Sequence, residues 1–130
     1  MTVVLDASVL IALVNGDDAH HEWAVSFLLE TVEEELCISA LSLAEALVYP
    51  TRAGRAADFH ESISGLDLDV AEFSAANATA LAEVRVKSGL KMPDAAVLHL
   101  ALDRSAGLAT VDTQLAAQAR AHGITTYALS

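Results

Sequence analysis

Short apolar runs alternate with helical stripes from one end of the chain to the other, and this alternation constrains the fold more than any other feature. Thr2–Leu5 reads as a short buried strand and Val9–Val14 as a short helix closed by Asn15-Gly16. Asp17 or Asp18 caps a second helix. In it Val25, Leu28, Leu29, Val32 and Leu36 recur at helical spacing, and Trp23 and Phe27 widen the stripe. Leu36–Ser39 is a second strand. A helix is predicted over Leu41–Tyr49, ending near Pro50, and another over Arg55–Ser64. Leu66–Val70 alternates apolar and acidic residues, as an edge strand does. Ser74 caps an Ala-rich helix that ends near Gly89, and Pro93 suits the first turn of a helix running to Arg104. Leu108–Val111 is a strand, Thr113–Ala121 a helix ending at Gly123, and Ile124–Leu129 a closing strand. The pattern predicts an α/β fold of three layers, with helices on both faces of a central, mostly parallel sheet. No linker or repeat interrupts it, so residues 1–130 are expected to form a single domain.

Composition narrows the class. The chain is 54% hydrophobic with 6 Gly and 2 Pro, which excludes collagen-like, disordered and low-complexity sequence. Aromatics make up only 5%, so Ala, Leu and Val must fill the core. The longest apolar run, Val9–Val14, is far shorter than the ~20 residues of a membrane helix. The opening Met1-Thr2-Val3-Val4-Leu5-Asp6 lacks a basic region and reads as no signal peptide. Cys37 stands alone, so no internal disulfide forms, and a reducing, cytoplasmic location is expected. Seven Lys+Arg against eighteen Asp+Glu give a net charge of −11, which argues against passive coating of nucleic acid. Residues 1–50 hold no Lys or Arg. Any phosphate-binding surface must come from the middle of the chain or from metal ions.

Four carboxylates stand out. Asp6 follows the first strand, where open α/β sheets bind ligands, although it also suits an N-cap with Ser8 competing. Glu45 is the one acid in the apolar stretch Ala40–Pro50, where a buried unpartnered carboxylate would be costly; the alternative is an exposed stripe with Ser42 and Tyr49. Asp94 opens a helix, where an acid also complements the dipole. Asp112 follows a strand and also suits an N-cap, and Thr110 could turn its hydroxyl toward the same strand end. In a parallel sheet all four can converge at one edge. Their mutual repulsion would raise their pKa values, and a divalent cation would remove the conflict. Oxygen ligands favour Mg²⁺ or Mn²⁺, and no Cys/His set suits zinc. A carboxylate-held Mg²⁺ with open water positions suits phosphodiester hydrolysis.

Val3-Val4-Leu5-Asp6-Ala7-Ser8-Val9-Leu10-Ile11 resembles the opening of a PIN domain. Ser42-Leu43-Ala44-Glu45, Met92-Pro93-Asp94-Ala95 and Leu108-Ala109-Thr110-Val111-Asp112 resemble its later motifs, in order and at ordinary spacing. Each motif alone is weak; together they are specific and cover nearly the whole chain. The length looks most like that of the VapC toxins of bacterial toxin–antitoxin pairs. The resemblance implies a PIN-like three-layer fold and a Mg²⁺- or Mn²⁺-dependent endoribonuclease that halts growth. It also implies an RNA substrate, a homodimer and a cognate antitoxin. By resemblance, Asp6, Glu45, Asp94 and Asp112 are the catalytic metal-site acids, with Ser8 and Thr110 as supporting hydroxyls. Some relatives carry a further acid after the last motif; here Thr113, Gln114 and Leu115 occupy those positions.

Arg85, Lys87 and Lys91, which precede Asp94, and Arg52, seven residues after Glu45, are candidate RNA-phosphate contacts; solvated helix ends are the alternative. His20 and His21 beside Asp17, Asp18 and Glu22 read as a capped helix start rather than a metal cluster. His99 sits five residues after Asp94, a spacing that turns it away from that acid. Trp23 and Phe27 are expected in the core or a dimer interface, and Cys37 as a small buried hydrophobe. A haloacid-dehalogenase phosphatase would need an Asp where Ser8 stands. A receiver domain would need an acid pair after the first strand and a late Lys, and no Lys follows Lys91. A non-catalytic PIN-like scaffold remains the third alternative.

Overall fold

The computed structural model describes residues 1–130. Its sheet is wholly parallel, with five strands in the order β3-β2-β1-β4-β5: β1 (Thr2–Leu5), β2 (Glu35–Ser39), β3 (Asp69–Ala71), β4 (Gly107–Ala109) and β5 (Thr126–Tyr127). Seven α-helices connect them: α1 (Ala7–Val14), α2 (His21–Glu30), α3 (Ala40–Arg52), α4 (Ala56–Ile63), α5 (Ala78–Ser88), α6 (Met92–Asp103) and α7 (Thr113–Ala121). This is the three-layer α/β architecture expected from the alternation of elements.

Strand periodicity sorts the core into two halves. Val4, Cys37 and Leu108 point to one face, where they pack with α5, α6 and α7 residues such as Leu98, Leu100, Leu115 and Ala119. Val3, Leu5, Leu36, Ile38 and Ala109 point to the other and meet Leu10, Phe27, Ala46 and Phe59 from α1 to α4. Leu5, Leu10, Ile38, Leu98, Leu108 and Leu115 are fully buried, and each such side chain contributes about 1.5–3 kcal/mol. No helix is long and apolar enough to cross a membrane.

Several boundaries depart from the sequence expectation for identifiable reasons. Pro50 lies inside α3 rather than ending it. Its missing N–H falls in the last turn, and Ala53 N and Arg55 N close the helix on the carbonyls of Tyr49 and Pro50. Helix α2 stops at Glu30, where the Thr31 hydroxyl donates back to the Phe27 carbonyl. Val32 and Leu36 therefore lie beyond it, and Leu29 is 71% exposed. Asp18 accepts from His20 N in a turn before α2 instead of capping it. The expected strand Leu66–Val70 shortens and shifts to Asp69–Ala71, because pairing begins only at Cys37↔Asp69, after a 3-10 turn over Ser64–Leu66 and left-handed Asp67. A 3-10 turn over Ala75–Asn77, begun at Ser74, precedes α5. Strands β4 and β5 are likewise shorter than the expected Leu108–Val111 and Ile124–Leu129. Trp23 stacks on Phe27, whose ring meets Tyr127 edge-on. Phe27 is core, as expected.

Candidate functional site

The strand order creates a topological switch point. From β1 the chain leaves into α1 on one face, and from β4 into α7 on the other, so a crevice opens at the carboxyl ends of these neighbouring strands. Asp6 follows β1 directly, and Thr110 to Asp112 follow β4. Helix α3 leaves the end of β2 and carries Glu45. The first turn of α6 carries Asp94.

Asp6 occupies the N-cap position of α1, yet its side chain caps nothing. Only 6% exposed, it accepts two hydroxyl hydrogen bonds on one oxygen: Ser8 Oγ donates to Oδ2 at 2.8 Å and Thr110 Oγ1 at 2.7 Å. The same hydroxyl oxygens accept from the backbone of the β4 exit, Val111 N to Ser8 Oγ and Asp112 N to Thr110 Oγ1. Each hydroxyl thus ties β1 to the turn after β4 and orients the Asp6 carboxylate, leaving its Oδ1 without a protein donor. Asp112 does serve as the N-cap of α7, through Oδ1 to Leu115 N at 2.9 Å, and its other oxygen stays free. Glu45 and Asp94 make no hydrogen bond or ion pair through their carboxylates.

The four acids sense one another. Partial burial, then the charges of Asp6 and Asp94, push the Glu45 carboxyl above the usual carboxylate range. Burial, then Asp6 and Asp112, push Asp94 up against the opposing pull of Lys91. No three Asp, Glu, His or Cys side chains gather tightly enough to form a ready-made ion cage. Their free oxygens are nevertheless the hard donors that Mg²⁺ and Mn²⁺ prefer. The donor set therefore fits such an ion.

The burial assumed around Glu45 is corrected. Helix α3 is not closed in on most sides: Leu41, Ala44, Glu45, Val48, Tyr49 and Arg52 are exposed, whereas Ser42 is fully buried. Ser42 belongs to a feature the sequence reading missed. Ser39, at the end of β2, caps α3 by accepting from Ser42 N at 3.0 Å and donates to Ser42 Oγ at 3.1 Å. This fixes the start of the helix that carries Glu45. The Ser-x-x-Ser spacing at a strand end is the signal that could have found it.

Of the candidate basic residues, Lys91 is the N-cap residue of α6 and is near enough to act on Asp94. Arg85 and Lys87 lie in the last turn of α5, closed by left-handed Gly89, and Arg52 lies in the last turn of α3. All four are exposed and none forms an ion pair. His21 donates from Nδ1 to the Ala12 carbonyl at 2.7 Å and so ties α2 to α1. His99 is buried beside Phe73. Neither histidine joins the acids.

Comparison with known proteins gives this arrangement a family. Solved structures of the same fold include VapBC2 from Rickettsia felis, bound to a DNA fragment from its promoter (14% identity, TM-score 0.71, covering 100% of both chains). They also include VapC20 from Mycobacterium tuberculosis, a toxin that cleaves the sarcin-ricin loop (20% identity, TM-score 0.73, covering 89% of this chain and 94% of that one). FitAcB from Neisseria gonorrhoeae aligns with TM-score 0.74 at 18% identity over 96% of each chain. Among curated proteins nothing matches the sequence. The PIN domain family profile matches residues 3–126, a span that takes in all four acids and at least part of every strand of the sheet. The chain is therefore a member of the PIN domain family.

Proposed function

We propose that residues 1–130 act as one nuclease domain, a divalent-metal-dependent endoribonuclease that serves as the VapC-type toxin of a toxin–antitoxin pair in the cytoplasm. One observation carries this reading. Four carboxylates lie after β1, after β4, on α3 and in the first turn of α6 with no ion pair to any base, and two of them are pushed toward protonation by burial and then by their acidic neighbours. A fold keeps such uncompensated charge where a cation is to be bound.

Asp6, Glu45, Asp94 and Asp112 would hold Mg²⁺ or Mn²⁺ through the oxygens that no protein donor takes. The bound ion supplies Lewis acidity at a phosphate and an activated water for its hydrolysis. Ser8 and Thr110 hold Asp6 by one oxygen so that the other faces the crevice. The Ser39–Ser42 pair sets the direction from which Glu45 enters. Lys91 sits beside Asp94, where it can meet a phosphate oxygen. Arg52, at the end of α3, and Arg85 and Lys87, at the end of α5, are the further candidate phosphate contacts. With Thr113, Gln114 and Leu115 after Asp112, this chain has no further acid there for a second ion. The partners in this reading are an RNA substrate, a cognate antitoxin protein and a second copy of the chain. Support for the antitoxin comes from the toxin–antitoxin complexes that share the fold, and support for nuclease action from the toxin that cleaves the sarcin-ricin loop.

The test is cleavage of a mixed tRNA and rRNA pool by purified protein in Mg²⁺, Mn²⁺ or EDTA, beside Asp94→Asn. Discrete fragments that require metal and vanish in the variant establish the nuclease. Equal cleavage by the variant would place the active site elsewhere. The absence of cleavage by folded, metal-binding, antitoxin-free protein would favour a silent PIN-like scaffold.

A further inference from the structure

We propose that the aromatic hollow between α2 and β5 is a docking site for an arginine carried on an extended segment of a partner protein, with that segment paired along the free outer edge of β5. The inference does not depend on the nuclease reading, because none of the four acids lines this hollow.

Trp23, Ser26, Phe27 and Glu30 recur at i, i+3, i+4 and i+7 and so share one face of α2. With Thr126 and Tyr127 of β5 they line a hollow of about 310 Å³. Its aromatic wall is held by its own packing. Trp23 and Phe27 stack with centroids 5.7 Å apart and planes 9° apart, and Tyr127 meets Phe27 edge-on at 5.4 Å. Phe27 is buried behind the wall, whereas Trp23 and Tyr127 are only partly covered and keep ring surface for a ligand. Charge decides what that ligand is. Neither α2 nor β5 contains Lys or Arg, and Glu30, exposed at the rim, forms no ion pair. Ring faces carry negative charge density, so two rings and an unpaired carboxylate attract a cation and repel an anion. A guanidinium fits better than an ammonium, because it lies flat on a ring while its fork donates to the carboxylate. The backbone indicates how the cation is carried. Strand β5 is at the edge of the sheet, and β4 takes the carbonyls of Thr125 and Tyr127. Alternation therefore turns the N–H and C=O of Thr126 outward, where an extended chain can pair with them. In such a chain the residue beside Tyr127 points to the same face of the sheet, the face covered by α2, so its side chain enters the hollow while its backbone holds the edge.

Trp23 is the chain's one tryptophan, so its fluorescence reports on this hollow. The experiment titrates the protein with the end-capped hexapeptide Thr-Val-Arg-Val-Thr-Ser. Beside it run the same peptide with citrulline or lysine in place of arginine, a version N-methylated at alternate residues to block strand pairing, and end-capped arginine alone. The arginine peptide is expected to shift the Trp23 emission saturably. Citrulline keeps the shape and removes the charge, and should bind about 2- to 30-fold more weakly, with lysine in between. The N-methylated peptide and capped arginine should both bind more weakly than the hexapeptide. Glu30→Gln should weaken the arginine peptide and leave the citrulline peptide unchanged. Ser26→Arg, at an exposed position, places a cation of the chain's own at the hollow and should abolish binding. An equal response to arginine and citrulline, or an arginine response unchanged in Glu30→Gln, would overturn the cation site. Capped arginine binding as tightly as the hexapeptide would overturn the strand pairing. A dimer that dissociates in Ser26→Arg, read by sedimentation, would overturn the proposal and make this face a contact between copies. RNA cleavage is expected to be the same with Ser26→Arg as without it, so each of these failures leaves the nuclease reading standing.

Discussion

The two ends of the sheet are both acidic, and they treat their acids in opposite ways. At the amino ends of the strands Glu34, Glu35, Asp67 and Asp69 rim an open groove of about 830 Å³. There the amino group of Met1 pairs with Glu34 at 2.6 Å, and Arg104 pairs with Asp69 at 2.7 Å while also reaching Cys37 Sγ. The Glu34 carboxylate raises the pKa of the Met1 amine, and Asp69 raises that of Arg104. At the carboxyl ends Asp6, Glu45, Asp94 and Asp112 have no ion pair, and burial first, then the neighbouring acids, raise Glu45 and Asp94. Two of the four acids at the amino end, Glu34 and Asp69, are thus neutralised by the fold. Acids left to repel one another point to a ligand that the fold does not supply.

The largest expected effect breaks the comparison at the crevice. Asp6→Asn or Asp94→Asn should abolish metal-dependent RNA cleavage in the pool assay, whereas Asp69→Asn at the other end should retain it. Next, Thr110→Val removes one of the two hydroxyls on Asp6 without removing an acid. It should cost about 10- to 100-fold in Mg²⁺ affinity, read by metal titration, because a misoriented ligand binds weakly. A smaller effect concerns stability. In EDTA, Glu45→Gln and Asp94→Asn should each stabilise the protein in denaturant unfolding, exposed Glu45 the less because solvent screens its charge, since each removes a carboxylate disfavoured by burial and by its acidic neighbours. Loss of stability in both would place these acids with the paired ones.

The same shifts fix a pH dependence. A carboxyl whose pKa is raised by folding binds more protons folded than unfolded, so stability falls as pH rises from the usual carboxylate range through the raised value. Metal-free protein should lose stability over that window, and the Glu45→Gln/Asp94→Asn double variant should lose less. Saturating Mg²⁺ should cancel the difference, because metal takes the deprotonated form. The smallest effect sits at the amino end. Asp69→Asn should destabilise by only about 0.2–1 kcal/mol, since its pair with Arg104 is largely solvated.

Much of this was legible beforehand. Hydrophobic periodicity located all five strands and the helices between them, and the Pro93 and Gly89 signals placed the ends of α6 and α5 well. The four acids were visible because each stands in or beside apolar sequence. Less legible were features that depend on a distant partner. The β3 register is set by Cys37↔Asp69 across thirty-odd residues, and the paired hydroxyls on Asp6 by a contact between positions 6 and 110. The exposure of Glu45 was misjudged because apolar neighbours suggested burial; an apolar helix face left uncovered, as on α3, looks the same in sequence as a covered one.

The sequence by itself determined the alternation of strands and helices, the two-faced core and the supply of carboxylates, because these follow from local periodicity and residue chemistry. Only the tertiary structure decided which acids feel one another's charge, which are paired, and which oxygen of Asp6 remains free. Those depend on the 3-2-1-4-5 order of the sheet, which brings the ends of β1 and β4 together from positions a hundred residues apart. Electrostatic repulsion and hydroxyl donation act over a few ångströms of space, and that proximity is a property of the folded chain alone.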